Sequence, residues 1–437
     1  MSTKFIPSSR ARAALHQDQV GILMEKVKLK PKHNAELCPD GVINLSGALN
    51  SLMGDWMTTY VEREPLTMSE CLSYGSLTGS QNLLEATAGY LNRFFSPSEP
   101  VRAEHILATN GVTSLMDMMA WTLCDPGQAV LYLTPNFFMI DYNMTVRAGV
   151  TTIPISTADL SDSFGAKGLP ELIETLQTAA GLAIEERGVE CRVLLLCNPT
   201  NPQGRCYSPQ TLEGLASWCT GRDMHLVVDE IYAMSTLTDN YDNNADVRPF
   251  TSILSTTSRP NVHCLYGMSK DFNMGGLRTG FLITRNPFVR AAASGTAWFS
   301  WLTVPSDKFV TRFLQQLDLI QDYLDIYRLR LTEAYRITTM ALNKYKIPFE
   351  RADAGLFVLI DLSHWVHNFE FDTEKMESSE MKLCKLLIDN GVFLNPGQFA
   401  GCDRPGQFRL VYAQDSEIIE LAVQRIARAL DGLASAQ

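Results

Sequence analysis

The chain has 437 residues, of which 46% are hydrophobic and 19% charged, and its formal net charge at pH 7 is -11. The length predicts two lobes, and the acidic balance argues against nucleic acid or an anionic membrane surface as a partner, because both attract clustered Lys and Arg. The first residues lack a signal-like apolar run, and no stretch approaches the ~18 apolar residues that span a bilayer, so we expect a soluble, cytoplasmic protein.

The metal-binding residue types are scattered. Ten cysteines lie between Cys38 and Cys402 without a C-x-x-C pair, which favours a reducing compartment over a disulfide framework. The close histidine pair, His364 and His367, has no cysteine or second histidine pair beside it in the sequence. We therefore predict no metal site.

Short apolar runs alternate with segments of helical length between about residues 80 and 280. The runs predicted to be strands covered on both faces are Ala129–Leu133, Val193–Cys197, Leu226–Val228, His263–Leu265 and Gly280–Thr284. The segments predicted to be crossover helices are Val112–Leu123, Pro170–Glu186 and Pro209–Arg222. This repeat predicts an α/β fold with a mostly parallel sheet, in which ligands bind outside the carboxyl ends of the strands.

The last part of the chain has a different pattern. Few helix breakers occur over residues 306–345, which predicts one or two long helices. The elements predicted after it are a strand at 355–361, a helix at 378–390, a loop at 395–397, a strand at 408–412 and a closing helix at 416–433. We divide the chain into an N-terminal arm with part of a small domain (1–65), a large domain (66–305) and a small C-terminal domain (306–437).

Two apolar runs end in residues of chemical interest. Lys270 follows the run 262–265, and Arg278 lies eight residues further on; Asp229 follows the run 224–228. A lysine so placed can form a Schiff base, a carboxylate can hold a pyridinium nitrogen, and an arginine can bind a phosphate. Pyridoxal 5'-phosphate (PLP) needs these three groups from a protein, because the cofactor itself supplies the electron sink. The sequence therefore predicts a PLP-dependent enzyme.

Several ordered motifs span the chain from about residue 38 to residue 431. They are Tyr74-x-x-x-x-Gly79, Asn198 to Gly204, Asp229-Glu230-Ile231-Tyr232, Ser269-Lys270 with Arg278, Ala354-Gly355-Leu356-Phe357 and Pro405 to Arg409. With these motifs the chain resembles fold-type I PLP-dependent enzymes of the class I/II aminotransferase family, and within it the 1-aminocyclopropane-1-carboxylate (ACC) synthase-like proteins. The resemblance implies a three-layer α/β/α large domain with a mostly parallel, mixed sheet and a smaller α+β domain.

The resemblance implies catalytic roles for three residues. Lys270 is implied to bind the cofactor covalently and, once released, to move the Cα proton of the substrate. Asp229 is implied to keep the pyridine nitrogen protonated. Tyr232, together with Asn201, is implied to donate a hydrogen bond to the phenolic oxygen of the cofactor, which favours its ionised form.

The cofactor phosphate is implied to lie at the start of a helix. Backbone amides at Val112 and Thr113 offer free N–H groups and a favourable dipole there, and Ser269 and Arg278 are implied to complete the site. Gly267 stands where relatives often carry a serine that donates to the phosphate, so we expect one hydrogen bond fewer.

Two aromatic residues match further family positions. Phe137 is implied to stack on the pyridine ring, because stacking needs only a ring face. Tyr74 is implied to reach the phosphate of the neighbouring subunit. The resemblance therefore implies a homodimer with shared sites.

The substrate is implied to be an amino acid, because Arg409 matches an arginine that binds the α-carboxylate. Asn201 and Ala48 are implied to lie beside the same substrate. Leu49 stands where ACC synthases carry a glutamate, and leucine cannot attract a sulfonium. We therefore do not expect this chain to make ACC from S-adenosylmethionine.

Each assignment has a plainer alternative as an ordinary surface or core residue. The alternatives are a solvated lysine for Lys270, a helix N-cap for Asp229, a turn for Asn201, a simple helix start for Val112 and Thr113, a packed ring for Phe137 and Tyr74, an exposed strand arginine for Arg409 and a packing residue for Leu49.

Three functions remain open, because the residues that bind the cofactor do not decide which bond at Cα breaks. We first expect a carbon–sulfur lyase that performs β-elimination on a cysteine-derived thioether, with a specialised substrate such as those of secondary metabolism. The second function is an aminotransferase that converts an amino acid to its keto acid. The third is a protein that binds PLP without turnover.

Overall fold

The computed structural model describes residues 7–13, 19–238, 247–369 and 377–434. The helices are α1 (Ser9–Ala13), α2 (Gln19–Lys28), α3 (Gly54–Arg63), α4 (Gln81–Phe94), α5 (Val112–Leu123), α6 (Ile140–Thr145), α7 (Leu169–Arg187), α8 (Pro209–Thr220), α9 (Ile253–Thr256), α10 (Pro287–Thr296), α11 (Val304–Leu314), α12 (Leu317–Lys344), α13 (Ser363–Val366), α14 (Ser379–Asp389) and α15 (Ser416–Ala434). The strands are β1 (Ile43–Asn44), β2 (Ile106–Thr109), β3 (Ala129–Thr134), β4 (Thr151–Ser156), β5 (Cys191–Cys197), β6 (His225–Asp229), β7 (Val262–Gly267), β8 (Gly280–Thr284), β9 (Phe357–Asp361), β10 (Val392–Phe393), β11 (Asn395–Pro396) and β12 (Gln407–Val411).

A seven-stranded sheet in the order β2-β8-β7-β6-β5-β3-β4 is the largest of the three sheets in the described residues. The pairings among β7, β6, β5, β3 and β4 are parallel, whereas β8 is antiparallel to both β2 and β7. Successive strand residues face opposite cores: Leu194 packs in one hydrophobic cluster and Leu195 in the other. Both faces are therefore covered, and the predicted three-layer, mostly parallel mixed sheet is confirmed.

The strand register places the functional segments side by side at the carboxyl ends of the strands. Cys197 is the neighbour of Asp229 across β5 and β6, and Asp229 is the neighbour of Leu265 across β6 and β7. The turns that follow these strands therefore leave the sheet side by side. Lys270 follows the end of β7, so it is delivered to the same edge as Asp229.

A second, smaller set of strands is built from both ends of the chain. Strand β9 pairs antiparallel with β12, which pairs antiparallel with β11, and β1 near the N-terminus pairs in parallel with β10. We propose on this basis that the segment before residue 65 belongs partly to the small domain, with the large domain over 66–305 and the remainder of the small domain over 306–437.

The structure differs from the sequence-based expectations at three places. Strands β2 and β4 were absent from the predicted set; β4 lies at the sheet edge, where its side chains are mostly half-buried or exposed, so it lacks a continuous apolar run. The loop predicted at 395–397 was wrong for its first two residues. Asn395 and Pro396 form β11 because their backbones pair with Arg409 and Phe408 of β12.

The helical region after residue 304 is two helices, α11 and α12, separated by Gln315 and Gln316. Within the described ranges, the structure contains no helix that is both long and apolar enough to cross a membrane. The same part of the chain holds no group of three or more His, Cys, Asp or Glu side chains placed to bind a metal ion.

A histidine pair, with His263 buried and His225 half-buried, lies on the central strands, away from the carboxyl ends that lead to Lys270. His225 Nδ1 and His263 Nε2 are 2.9 Å apart, and His263 Nδ1 lies 2.8 Å from Thr284 Oγ1. Burial, followed by the neighbouring His225, lowers the pKa of His263 to about 3. The folded protein therefore holds His263 neutral at pH values where an unfolded chain would protonate it.

Acid should destabilise the fold through this histidine. The contribution of neutral His263 to the free energy of unfolding is fully present above the ordinary histidine pKa of 6.5. It is lost as the pH falls toward about 3, because the unfolded chain then binds a proton that the folded chain does not. Between pH 7 and pH 5 we expect a loss of about 2 kcal/mol in the free energy of unfolding, and His263→Gln should remove most of that slope. Urea unfolding at both pH values would measure it, with the exposed His364→Gln as control. Equal slopes in wild type and His263→Gln would contradict this.

Candidate active site

A cavity of about 370 Å³ lies at the carboxyl ends of the central strands, and Asn395 and Arg409 of the three-stranded sheet also line it. Eleven of the thirteen site residues predicted from the sequence line it: Ala48, Val112, Thr113, Phe137, Asn201, Asp229, Tyr232, Ser269, Lys270, Arg278 and Arg409. They come from segments separated by up to several hundred residues. The fold therefore gathers most of the predicted site into one place.

Lys270 lies in the turn after β7, and its Nζ donates a hydrogen bond to the carbonyl oxygen of Ala48 at 2.8 Å. Burial, and then the nearby guanidinium of Arg409, lower the pKa of Lys270 to about 8, while Asp229 partly opposes the shift. A substantial fraction of this amine is therefore neutral near physiological pH, which a nucleophilic or basic lysine requires.

Asp229 ends β6 and is almost completely buried, with Oδ1 accepting a hydrogen bond from the backbone N–H of Ile231 at 3.1 Å. Burial raises the pKa of this carboxyl to about 7, against the lowering effects of Ile231 and Lys270. Tyr232 is also buried, and its ring packs edge-on against Phe357 with centroids 5.2 Å apart. Burial raises the pKa of the Tyr232 hydroxyl, so this group remains a protonated donor.

The start of α5 forms the opposite end of the cavity. Gly111 is the residue before the helix, has φ of 117°, and offers no side chain to cap the first amides of the helix. The φ of Gly111 favours glycine, and a Cβ atom there would lie 2.7 Å from Nη2 of Arg278, so a side chain would strain the backbone and displace the guanidinium. The guanidinium of Arg278 therefore lies directly beside the free N–H groups of Val112 and Thr113, an arrangement suited to an anion.

The absence of a side chain at Gly267 has a steric reason. A Cβ atom there would lie 2.9 Å from the carbonyl oxygen of Thr279, 3.0 Å from Ile231 Cδ1 and 3.1 Å from Val112 Cγ2. The serine expected at this position from the family resemblance would therefore crowd the Thr279 carbonyl oxygen and two side chains, and it would not fit without local movement. The sequence shows only that the donor is missing, whereas the structure shows that the position is filled by neighbours.

Arg409 lies on β12 and is buried. Its Nη1 donates to Asn201 Oδ1 at 2.9 Å, and its Nη2 donates to the carbonyl oxygen of Ser46. Its Nε is a buried donor for which the described residues supply no acceptor. Because an unpaired buried donor is costly, this atom is poised for an anion that enters the cavity.

Two predicted residues do not lie in the cavity. The side chain of Leu49 is 58% exposed and that of Tyr74 is 93% exposed, the latter stacked on Trp301 with ring centroids 5.8 Å apart. Within this single chain neither residue lines the site. Their roles, Leu49 toward a substrate and Tyr74 toward a second subunit, remain predictions.

Eight cavity residues were not among the predicted site residues: Met24, Ser46, Gly47, Met116, Phe138, Cys197, Ile231 and Asn395. The carbonyl oxygen of Ser46 accepts hydrogen bonds from Arg409 and, at 3.0 Å, from Asn395 Nδ2. Every residue has a backbone carbonyl oxygen, so the sequence does not indicate which one accepts these hydrogen bonds. Cys197 could have been found, because it ends a predicted strand directly before the Asn198 motif.

Comparison with known proteins identifies the family of this chain. A sequence model described as "Aminotransferase class I and II" matches residues 42–426. The chain belongs to this family. Members of the aminotransferase class I/II family normally bind PLP, and the family predicted from the motifs is therefore confirmed.

The similar curated proteins are distant. "1-aminocyclopropane-1-carboxylate synthase-like protein 1" of Mus musculus is 27% identical over 400 residues, covering 90% of this chain and 77% of that protein. "1-aminocyclopropane-1-carboxylate synthase 6" of Oryza sativa subsp. japonica is 28% identical over 448 residues, covering 98% and 80%. "Probable inactive 1-aminocyclopropane-1-carboxylate synthase-like protein 2" of Homo sapiens is 29% identical over 407 residues, covering 92% and 69%.

Solved structures share the fold of this family member. A single mutant of Thermus thermophilus aspartate aminotransferase aligns with a TM-score of 0.78 and 20% identity, covering 97% of this chain and 100% of that chain. An aspartate aminotransferase of Thermotoga maritima aligns with a TM-score of 0.72 at 20% identity over the same shares. These likenesses show that the chain has the fold-type I aminotransferase architecture.

We expect Gly111→Ala to weaken PLP binding at least tenfold, because the new methyl group would displace Arg278 and strain a backbone with φ of 117°. Titration of cofactor-free protein with PLP, followed by absorbance, would measure the change. Gly89→Ala is the matched control, since Gly89 lies within α4 with open space around it and alanine favours a helix. Equal affinities of the two variants would contradict a phosphate site at the start of α5.

Proposed function

We propose that this protein is a PLP-dependent enzyme that acts at Cα of an α-amino acid. The observation that carries the proposal is the convergence of Lys270, Asp229 and Arg409 in one cavity. Each residue supplies a group that the chemistry requires: an amine of lowered pKa, a buried carboxylate and a buried guanidinium with a free donor. Convergence of unusual titratable groups in a cleft is typical of catalytic sites.

The cavity residues fit PLP. Asp229 is a buried carboxylate with no ion-pair partner within 4.0 Å among the described residues, which suits a protonated ring nitrogen. At the other end, the first amides of α5 and the side chains of Ser269 and Arg278 would hold the phosphate. Lys270 would attach to the cofactor covalently. When bound, PLP supplies the electron sink for the bond that breaks at Cα.

The protein residues would orient the substrate and move its proton. Arg409 would bind the α-carboxylate through Nε and one terminal nitrogen, with Asn201 holding the other side of the guanidinium. The amine of Lys270, which is partly neutral because of its lowered pKa, would take the proton from Cα. Tyr232 would remain a hydrogen-bond donor, because burial keeps its hydroxyl protonated.

We propose a carbon–sulfur lyase as the first reaction. In β-elimination, Lys270 takes the Cα proton, the Cβ–S bond breaks with its electron pair leaving on sulfur, and water completes the release of pyruvate, ammonia and a thiol. The charged residues that line the cavity are Asp229, Lys270, Arg278 and Arg409. Since Asp229 is the single acid in this lining, the cavity suits an uncharged thioether better than a sulfonium. Similarity to proteins named as ACC synthase-like supports carbon–sulfur chemistry.

An aminotransferase is the second candidate, and the family match and the likeness to aspartate aminotransferase structures favour it. The aminotransferase would use the same residues. Lys270 would return the proton to the cofactor side, and no group would leave from Cβ. A third candidate is a protein without turnover, because some similar proteins are named as probable inactive. The presence of Lys270, Asp229 and Arg409 in one cavity argues against this candidate.

We also propose that the protein works as a homodimer. Tyr74 is 93% exposed, and other large apolar side chains, Leu72, Trp298 and Phe299, are 81%, 66% and 75% exposed. A surface with this much exposed apolar area is typical of a protein interface. Light scattering would measure the oligomer. Mixing Lys270→Ala with Tyr74→Ala protein should restore activity if one subunit completes the site of the other.

One experiment separates the three functions. Purified protein with PLP would be incubated with amino acids and cysteine thioether conjugates, and thiol, pyruvate and keto acid would be assayed separately. Thiol with pyruvate indicates the lyase, whereas the substrate's own keto acid with pyridoxamine phosphate indicates the aminotransferase. PLP uptake without any product indicates a binding protein. Failure to take up PLP would overturn the whole proposal.

A further inference from the structure

A buried carboxylate directly follows Lys270 but takes no part in the chemistry above. Asp271 is completely buried and does not line the cavity. Its Oδ1 accepts a hydrogen bond from Ser235 Oγ at 2.6 Å. Its Oδ2 accepts from the backbone N–H of Met234 at 3.1 Å and from Tyr266 Oη at 3.0 Å. Three donors therefore converge on one carboxylate.

These donors come from the two parts of the chain that carry the catalytic residues. Met234 and Ser235 lie in the turn that begins with Asp229 and Tyr232, whereas Tyr266 lies on β7, just before Lys270. The carboxylate thus joins the turn after β6 to the turn after β7. No strand pairing makes this connection, because Asp271, Met234 and Ser235 all lie outside the strands.

A shell of buried tyrosines surrounds this link. Tyr266 Oη lies 2.8 Å from Tyr90 Oη, and Ser235 Oγ lies 2.7 Å from Tyr327 Oη. Tyr323 Oη donates to the backbone carbonyl oxygen of Asp271 at 2.9 Å. The hydroxyls therefore fix both the donors and the backbone of Asp271, so the carboxylate has little freedom to rotate.

The segment from Ala48 to Asn50 contacts both the amine of Lys270 and the backbone of Asp271. Asn50 Nδ2 donates to the carbonyl oxygens of Lys270 and Asp271, each at 3.3 Å. Two residues earlier, the carbonyl oxygen of Ala48 accepts the amine of Lys270 at 2.8 Å. The lysine backbone, its amine and its acceptor are therefore part of one connected arrangement around Asp271.

We propose that Asp271 is a positioning residue that holds Lys270 in its buried place by joining the turn after β7 to the turn after β6. Its catalytic meaning rests on the proposed function, but its effect on the amine does not. Burial of Lys270 is the first cause of its lowered pKa. Loosening the turn would expose the amine to water, and its pKa would rise toward the ordinary value of 10.5.

The substitution that isolates this role is Asp271→Asn. The amide has nearly the same shape, but it is uncharged and only one of its two polar ends accepts, so in either orientation at least one of the three donors loses its acceptor on residue 271. Glu380→Gln is the matched control, because Glu380 is also a buried carboxylate that accepts backbone hydrogen bonds, from Gln398 at 2.8 Å and Gly406 at 2.7 Å, in the small domain. Ser235→Ala and Tyr266→Phe each remove a single donor.

The measurement is the pKa of the Lys270 amine in cofactor-free protein. Brief acetylation across a pH series, followed by mass spectrometry of the peptide that contains Lys270, gives this value without PLP or substrate. We expect wild type and Glu380→Gln to titrate near pH 8, and Asp271→Asn to titrate about one unit higher. Ser235→Ala and Tyr266→Phe should move the pKa by less in the same direction. Adding Ser235→Ala to Asp271→Asn should change the pKa of Lys270 little further, because the hydrogen bond from Ser235 to the Asp271 carboxylate is already lost.

The outcomes are distinct. A raised Lys270 pKa in Asp271→Asn but not in Glu380→Gln supports the proposal. An unchanged or lower pKa in Asp271→Asn overturns it, as does an equal rise in both variants, which would indicate general loosening. If Asp271→Asn does not fold, Ser235→Ala and Tyr266→Phe decide in the same way. PLP uptake by wild type, measured in parallel, tests the proposed function separately.

Discussion

The Lys270→Ala protein will retain no cofactor after borohydride reduction and denaturation, whereas the wild-type protein will retain it covalently. The pKa of the Lys270 amine is lowered to about 8. Lys270 lines the same cavity as Asp229 and Arg278. We expect product formation to fall by about 10²- to 10⁴-fold or more, because the residue proposed to move the Cα proton is also lost. Intact-mass measurement after reduction would show the adduct directly.

The matched control is Lys167→Ala, which removes an exposed lysine far along the chain from the site. It should bind PLP covalently at the wild-type level. Retention of reduced cofactor by Lys270→Ala at the wild-type stoichiometry would mean that another amine holds PLP. The assignment of the cavity as the active site would then fail.

Replacing Arg409 by leucine should raise KM for the amino-acid substrate by about 10²- to 10³-fold, while PLP is still bound. The guanidinium is buried and its Nε has no acceptor within the described chain, so the loss removes the partner of the α-carboxylate. It also leaves Asn201 Oδ1 and the Ser46 carbonyl oxygen without their donor, which should lower stability by about 1–3 kcal/mol. Cofactor binding should persist, because the proposed phosphate site lies at Arg278 and the start of α5, away from the substituted side chain.

Steady-state kinetics with the substrate identified by the product assays would measure this, together with cofactor content per chain. Arg205→Leu is the control: Arg205 is a half-buried arginine, paired with Asp353 at 2.8 Å, and it does not line the cavity. If both variants raise KM equally, Arg409 does not bind the carboxylate. Arg409→Lys should recover only part of the loss, because a lysine cannot make the planar two-point contact.

Most of the candidate site could be predicted because its residues follow buried strands. Asp229 directly ends β6, and Lys270 follows β7 after a short turn. In a parallel sheet such positions meet at one edge, so an apolar run followed by a polar residue already indicates both the element and its end. The family match then agrees with the ordered motifs, because these motifs are local in sequence.

Residues whose contacts are remote could not be placed in this way. Leu49 adjoins Ala48 in the sequence, yet its side chain points to solvent while the Ala48 carbonyl oxygen receives Lys270. The sequence predicts a loop at Asn395, but pairing with β12 makes it a strand residue within the cavity lining. The crowding at Gly267 also comes from three separate segments.

By itself, the sequence determined the fold class and the family and predicted Lys270 as the reactive amine, since each depends on motifs and apolar runs that are local in the sequence. Only the tertiary structure decided what surrounds that amine: the Ala48 carbonyl oxygen, the free Nε of Arg409 and the carboxylate of Asp271 with its three donors. The physical reason is that desolvation and hydrogen bonding depend on distances between atoms, and these are set by packing of segments that lie far apart in the chain.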